Sequence, residues 1–164
     1  MGMISLVRAD DHVLFCESLR TVLEIETDDI RVAGIARTGI EVLDLVDQYQ
    51  PDLVLMDVRM PEMDGVEAAR LVRERYPATQ VMILTTFDDD EYVREAVHHG
   101  AVGYLLKDVP LERLIMAIRE ASRGVMMISP AIARKLASES PAPGNASKAL
   151  LPDWVRVLSR REKE

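Results

Sequence analysis

The sequence predicts an α/β fold: a doubly wound, five-stranded parallel sheet in the order 2-1-3-4-5, with helices on both faces. Three observations lead there. Short aliphatic runs too apolar to have a wet face, such as Leu53 to Met56, alternate with segments whose apolar residues recur at helical spacing. The alternation is strict, which calls for parallel strands joined by right-handed crossovers. Gly, Pro, Asp and Thr stand where those helices begin and end.

"ISLVRA" (Ile4 to Ala9) is the first strand, and Phe15, Leu19, Val22 and Leu23 mark one face of the helix after it. "IRVAGIA" (Ile30 to Ala36) is the second strand. Thr38 then caps a helix over "GIEVLDLVDQY", with Glu41 three residues on as a capping box. "DLVLMD" is the third strand, followed by a helix from about Gly65 to Tyr76 that Pro77 stops. "QVMILTT" (Gln80 to Thr86) is the fourth strand, "DDDEYVREAVHH" a helix ended by Gly100, and Val102 to Leu106 the fifth strand. An amphipathic helix from Leu111 to Arg123 closes the domain at Gly124.

The chain of 164 residues, 48% hydrophobic, 29% charged and 4% aromatic, fits one aliphatic core with a modest extension. No apolar run approaches the roughly 20 residues of a bilayer span, and the start lacks a secretory leader's pattern, so a cytoplasmic protein with no membrane partner is expected. The single Cys16 allows no intramolecular disulfide and falls in a helical apolar pattern, as a core thiol would. A net charge of −8 opposes nucleic-acid binding by the bulk of the chain.

The order 2-1-3-4-5 has a functional consequence. It brings Asp10 and Asp11, after the first strand, beside Asp57, after the third, on strands about 4.8 Å apart and at the edge where open α/β sheets bind ligands. Singly, each candidate has an ordinary reading. Asp10 and Asp11 can cap a helix, Asp57 can open a loop, Thr85 can be a β-branched strand residue and Lys107 a solvated lysine. Jointly, they make a site. Three carboxylates together repel unless a cation sits among them, and an oxygen-only donor set suits Mg²⁺. Thr85 or Thr86 and Lys107, from the ends of the fourth and fifth strands, add a hydroxyl and an ammonium fit for a tetrahedral anion. Asp57 is then the covalent acceptor, since a carboxylate can carry a phosphoryl group.

The set Asp10-Asp11, Asp57 within "LMDVRMPEMDG", Thr85 within "ILTT" and Lys107 closing "GYLLK" resembles the receiver domain of two-component response regulators, over about residues 4–124. The resemblance implies that Asp57 is phosphorylated by a sensor histidine kinase. It implies that Asp11, Asp57 and the Arg59 carbonyl hold Mg²⁺, with Asp10 helping through water. Thr85 and Lys107 would contact the phosphoryl oxygens, and Tyr104 would turn inward as Thr85 moves. Arg59 and Phe87 flank the site as candidates for tuning the phosphate's lifetime.

"GYLLKD", with Asp108-Val109-Pro110 where many receivers have Lys-Pro, is similar to the NarL/FixJ subfamily, whose members carry a LuxR-type helix-turn-helix. That implies a homodimer on phosphorylation and DNA binding through a separate carboxyl-terminal domain. The expected organisation is a receiver over residues 1–124, an extension with a short helix over 125–138, a linker over 139–158 and the first residues of the DNA-binding domain over 159–164. Ser159 and Glu162 pattern as a capping box there, and Trp154 precedes it. The chain is expected to be cut just as that domain opens.

Two other readings compete. An aspartyl phosphatase of the haloacid dehalogenase kind requires a second Asp two residues after its nucleophile, where this chain has Arg59, so a regulator rather than an enzyme is expected. A pseudo-receiver that only dimerises would be expected to lack one of the acidic, threonine or lysine positions, and all are filled.

Overall fold

The computed structural model describes residues 2–86, 90–128 and 133–134. Its elements run β1 (Ile4–Ala9), α1 (Val13–Glu26), β2 (Ile30–Ala36), α2 (Gly39–Tyr49), β3 (Leu53–Met56), α3 (Gly65–Arg75), β4 (Gln80–Thr85), α4 (Asp90–His98), β5 (Gly103–Leu106), α5 (Leu111–Ser122) and β6 (Met127–Ile128). All strand pairs are parallel, in the order β2-β1-β3-β4-β5-β6. The first five strands stand as the sequence predicts.

The sixth is an addition. Gly124, at φ +84°, turns the chain after α5 so that Met127 N–H reaches the Val102 carbonyl at 2.7 Å and pairs along β5. Gly103 opposite it permits this approach, since a Cβ there would meet the Met127 carbonyl oxygen at 2.5 Å. Sequence patterning assigns this segment only to the extension over 125–138, because two residues are too few to show a period; the short helix expected in that extension falls mostly outside the described residues.

Successive strand residues feed two apolar layers. Val7, Val54, Met56, Val81 and Ile83 pack with Val42 and Val46 of α2, Val66, Ala69 and Val72 of α3 and Ala96 of α4. On the other face, Leu6, Leu53, Leu55, Met82 and Leu84 pack with Leu23 of α1 and Leu114, Ala117 and Ile118 of α5. Burial on both faces is why these strands read as unbroken aliphatic runs. Cys16 lies fully buried, and burial pushes its thiol up to about 11, the behaviour of a core residue.

Local signals hold where they were strongest. The Thr38 hydroxyl accepts the Glu41 N–H at 3.1 Å, and the Glu41 carboxylate reaches back to the Arg37 N–H at 3.1 Å. Asp64 caps α3 by accepting the Glu67 N–H at 2.9 Å. Among the described residues no helix is long and apolar enough to cross a membrane. The proposed linker (139–158) and the opening of a further domain (159–164), with Trp154, lie outside the described residues, as does Phe87.

Candidate functional site at the carboxyl edge of the sheet

Strand register sets the site. Ala9 pairs with Ala36 on one side and with Met56 on the other, so Asp10 and Asp57 are each the first residue beyond a paired strand end. Backbone bonds continue the ladder there: Asp10 N–H to Ala36 O and Asp57 N–H to Ala9 O, both 2.9 Å. Next along, Lys107 N–H bonds to Thr85 O at 2.8 Å, carrying the lysine past the end of β5. The loop after Asp57 turns back sharply. Gly65 N–H donates to Val58 O at 2.6 Å, and a Cβ at Gly65 would stand 1.9 Å from the Asp57 carbonyl oxygen, so only glycine lets α3 begin so close to the site.

Side chains from four strand ends meet over this edge. The Asp57 carboxylate, in a residue 2% exposed, accepts the Thr85 hydroxyl at 2.5 Å and its own neighbour's N–H, that of Val58, at 2.7 Å, both on Oδ1. Its Oδ2 faces the Lys107 ammonium at 3.1 Å. Lys107 Nζ also lies 2.6 Å from Asp10 Oδ2, so one ammonium bridges two carboxylates. Thr85, not Thr86, is the residue turned in; it is fully buried, while Thr86 is exposed. Asp11 is half-exposed at the rim. Neither Asp10 nor Asp11 caps α1, whose N-cap is His12 with no side-chain capping bond.

Two residues of the site escape sequence reasoning. Arg8, in mid-strand and 1% exposed, donates from Nη2 to Asp10 Oδ2 at 2.7 Å and from Nη1 to the carbonyls of Ala9 and Leu55 at 3.0 and 3.1 Å. The signal was present: residues two apart on a strand share a face, and a charge inside a doubly buried strand needs a partner on that face. His12 places Nδ1 at 3.1 Å from Asp10 Oδ1. Burial pushes the Asp10 carboxyl up, but hydrogen bonds from Lys107 and the His12 N–H, with the Arg8 charge, outweigh it and hold the group below the ordinary range. Burial also lowers the Arg8 guanidinium, against the pull of Asp10.

One ligand atom from each of Asp10, Asp11, His12 and Asp57 lies within 4.8 Å of the others. Such a set, dominated by carboxylate oxygens and open on the Asp11 side, fits a hard divalent cation. Arg59 is exposed on the loop two residues past Asp57. Tyr104 is fully buried in the layer beneath α4, at the level of Ile83 on β4.

The six-stranded parallel sheet thus gathers acidic, hydroxyl and lysine groups at its carboxyl edge around one buried aspartate, the architecture of receiver domains. The chain belongs to the response regulator receiver family, whose pattern, the response regulator receiver domain, matches residues 6–119. It is 45% identical over 137 residues to the transcriptional regulatory protein YxjL of Bacillus subtilis, covering 84% of this chain and 62% of that one. It is 34% identical over 162 residues to the oxygen regulatory protein NreC of Staphylococcus aureus, covering 98% of this chain and 74% of the relative. The chain therefore spans less than two thirds of the length of the first of these and about three quarters of the second.

Among solved structures, it resembles the signal receiver domain of NarL from Mycobacterium tuberculosis (33% identity, TM-score 0.71, 76% of this chain and 99% of that one). It also resembles a LuxR-family response regulator from Aurantimonas sp. (29% identity, TM-score 0.78, 84% and 98%). The relatives are thus of the NarL/LuxR type, and receiver domains in general bind Mg²⁺ and work with sensor histidine kinases.

Proposed function

We propose that this chain is a phosphorylation-activated receiver in which Asp57 accepts a phosphoryl group from the phosphohistidine of a sensor kinase in the cytoplasm. One observation carries the reading: the buried Asp57 carboxylate is held at once by the Thr85 hydroxyl and the Lys107 ammonium. A carboxylate oxygen of Asp57 attacks phosphorus; the O–P bond forms as the P–N bond to the kinase histidine breaks, and the histidine leaves as neutral imidazole after taking a proton from solvent. Lys107 and Thr85 then turn from the carboxylate to the new phosphoryl oxygens, keeping their donors satisfied while charge develops. Asp11, Asp57 and the Arg59 carbonyl would hold Mg²⁺, with Asp10 helping through water; when bound, the ion supplies neutralisation of the phosphoryl oxygens.

Phosphorylation adds charge and three acceptor oxygens where the hydroxyl and ammonium already converge. Two or three charge-assisted bonds at about 1.5–3 kcal/mol each match the ~5.5 kcal/mol needed to move a two-state equilibrium from 1:99 to 99:1. The element that reads the change is the Thr85–Tyr104 pair on β4 and β5. Its output is a homodimer that brings two LuxR-type domains, carried outside the residues described, onto a two-half-site DNA target.

The test is intact mass before and after incubation with acetyl phosphate and Mg²⁺, on wild type and Asp57→Ala, with a sizing column on the same samples. Wild type alone is expected to gain one phosphoryl group and to shift toward dimer. A wild type that gains none would leave a pseudo-receiver that only dimerises as the better reading.

A further inference from the structure

Receiver chemistry as derived above uses one resident cation, Lys107. This chain has two. The Arg8 guanidinium is buried on the same face of β1 as Asp10, and both Arg8 Nη2 and Lys107 Nζ contact the same oxygen, Asp10 Oδ2, at 2.7 and 2.6 Å. Asp10 Oδ1 is taken by the His12 N–H at 2.9 Å. No Asp10 oxygen is left without a donor.

Arg8 is not a well-satisfied structural arginine. Its Nε is buried with no hydrogen-bond partner, one of two such side-chain atoms among the described residues, so the chain tolerates an unmet donor to keep this charge in place. Its guanidinium carbon sits 5.4 Å from the centre of the Phe15 ring, and Lys107 Nζ lies 4.9 Å from the same ring. The aromatic face helps two like charges share one small space. Together they offset two of the three carboxylate charges of the site before any metal arrives.

We propose that Arg8 is a built-in counter-cation of the Asp10–Asp11–Asp57 site, competing with Mg²⁺ for Asp10 and holding the site's Mg²⁺ affinity about tenfold below what its carboxylates would otherwise give. One decade corresponds to about 1.4 kcal/mol, the scale of a single charge-assisted contact. Arg8 acts on the metal through Asp10 and through its own charge, as a positioning residue that does not touch the reacting atoms. Asp11, at the open rim, is left as the carboxylate most available to the ion.

The inference rests on the Mg²⁺-binding reading above, and its test separates the two. Wild type, Asp11→Asn, Arg8→Met, Arg8→Gln and Arg8→Lys are titrated with MgCl₂ and followed by backbone amide shifts, which report folding and affinity together and require no phosphorylation. Arg8→Met and Arg8→Gln are expected to bind Mg²⁺ about tenfold more tightly than wild type. Arg8→Gln keeps a polar group for the Leu55 carbonyl should the methionine variant fold poorly. Arg8→Lys, which keeps the charge, is expected to stay near wild type. If the neutral variants bind no more tightly while Asp11→Asn binds more weakly than wild type, the metal site stands and the counter-cation role of Arg8 is overturned. If wild type and Asp11→Asn are equally blind to Mg²⁺, the metal reading itself falls and takes this inference with it.

Discussion

One set of ion pairs at the carboxyl edge of the sheet and another beside the start of β2 each join residues distant in sequence, and by distance alone they look alike. At the carboxyl edge of the sheet, Lys107 bridges Asp10 and Asp57 at 2.6 and 3.1 Å, with all three groups nearly or fully buried. Beside the opposite end of β2, Arg119 of α5 grips Asp29 with two bonds of 3.0 and 2.9 Å, yet both side chains are more than two-fifths exposed. The surface pair has the better geometry, a two-pronged fork on a carboxylate. The buried set nevertheless governs more, because solvent screens the first and is excluded from the second. Burial, not separation, ranks charge pairs. It also explains why the edge of the sheet can hold the Asp57 carboxylate out of solvent between a hydroxyl and an ammonium, whereas the Asp29 pair only fastens a helix to a loop.

That contrast can be broken from the scaffold inward. Gly65→Ala pushes a methyl carbon into the Asp57 carbonyl, and the start of α3 must move with the loop that carries the buried set; a loss of about 3 kcal/mol is expected in urea unfolding. Lys107→Met leaves two buried carboxylates with one cation fewer between them and should cost about 2 kcal/mol at pH 7. Adding Asp57→Asn should return at least half of that, since the carboxylate left short of its cation is then gone; a double variant no more stable than Lys107→Met alone would show that the lysine acts by packing.

The smallest effect belongs to the surface. Hydrogen bonds from Arg119 hold the Asp29 carboxyl below the ordinary range against a modest opposing push from burial. Its folded value thus lies below its unfolded one. The stabilisation is complete above the unfolded value, near pH 4, and is lost as pH falls through the folded value. Arg119→Ala should therefore cost about 0.5 kcal/mol at neutral pH once screening is allowed for, and its stability curve should merge with wild type in acid. A gap that persists below pH 3 would mean that Arg119 supports α5 by contact rather than by charge.

Much of the fold was legible from period and punctuation. Buried strands with aliphatics on both faces and capped helices between them left little choice of architecture, and Thr38 and Asp64 cap as residues of their type should. The positions gathered at the site were legible too, because each closes an apolar run at a strand's carboxyl end. What escaped was whatever depends on a partner distant in sequence. β6 exists because Gly103 clears room for it. The choice between Thr85 and Thr86 follows from which face of β4 looks over Asp57. Gly65, read as an ordinary helix start, turns out to be held to glycine by the Asp57 carbonyl, eight residues earlier in the chain.

Arg8 shows the division most clearly. The sequence by itself determined that a doubly wound parallel sheet would form and that Asp10, Asp11, Asp57, Thr85 and Lys107 would end its strands, since strand periodicity and chain order are local properties that add up to a topology. Only the tertiary structure decided how the charges at that edge divide their partners: an arginine inside β1 is turned onto Asp10, and Lys107 is shared between Asp10 and Asp57. The reason is physical. Hydrophobic patterning acts residue by residue along the chain, whereas the pairing of buried charges depends on which groups are desolvated together, and desolvation is a property of the assembled core.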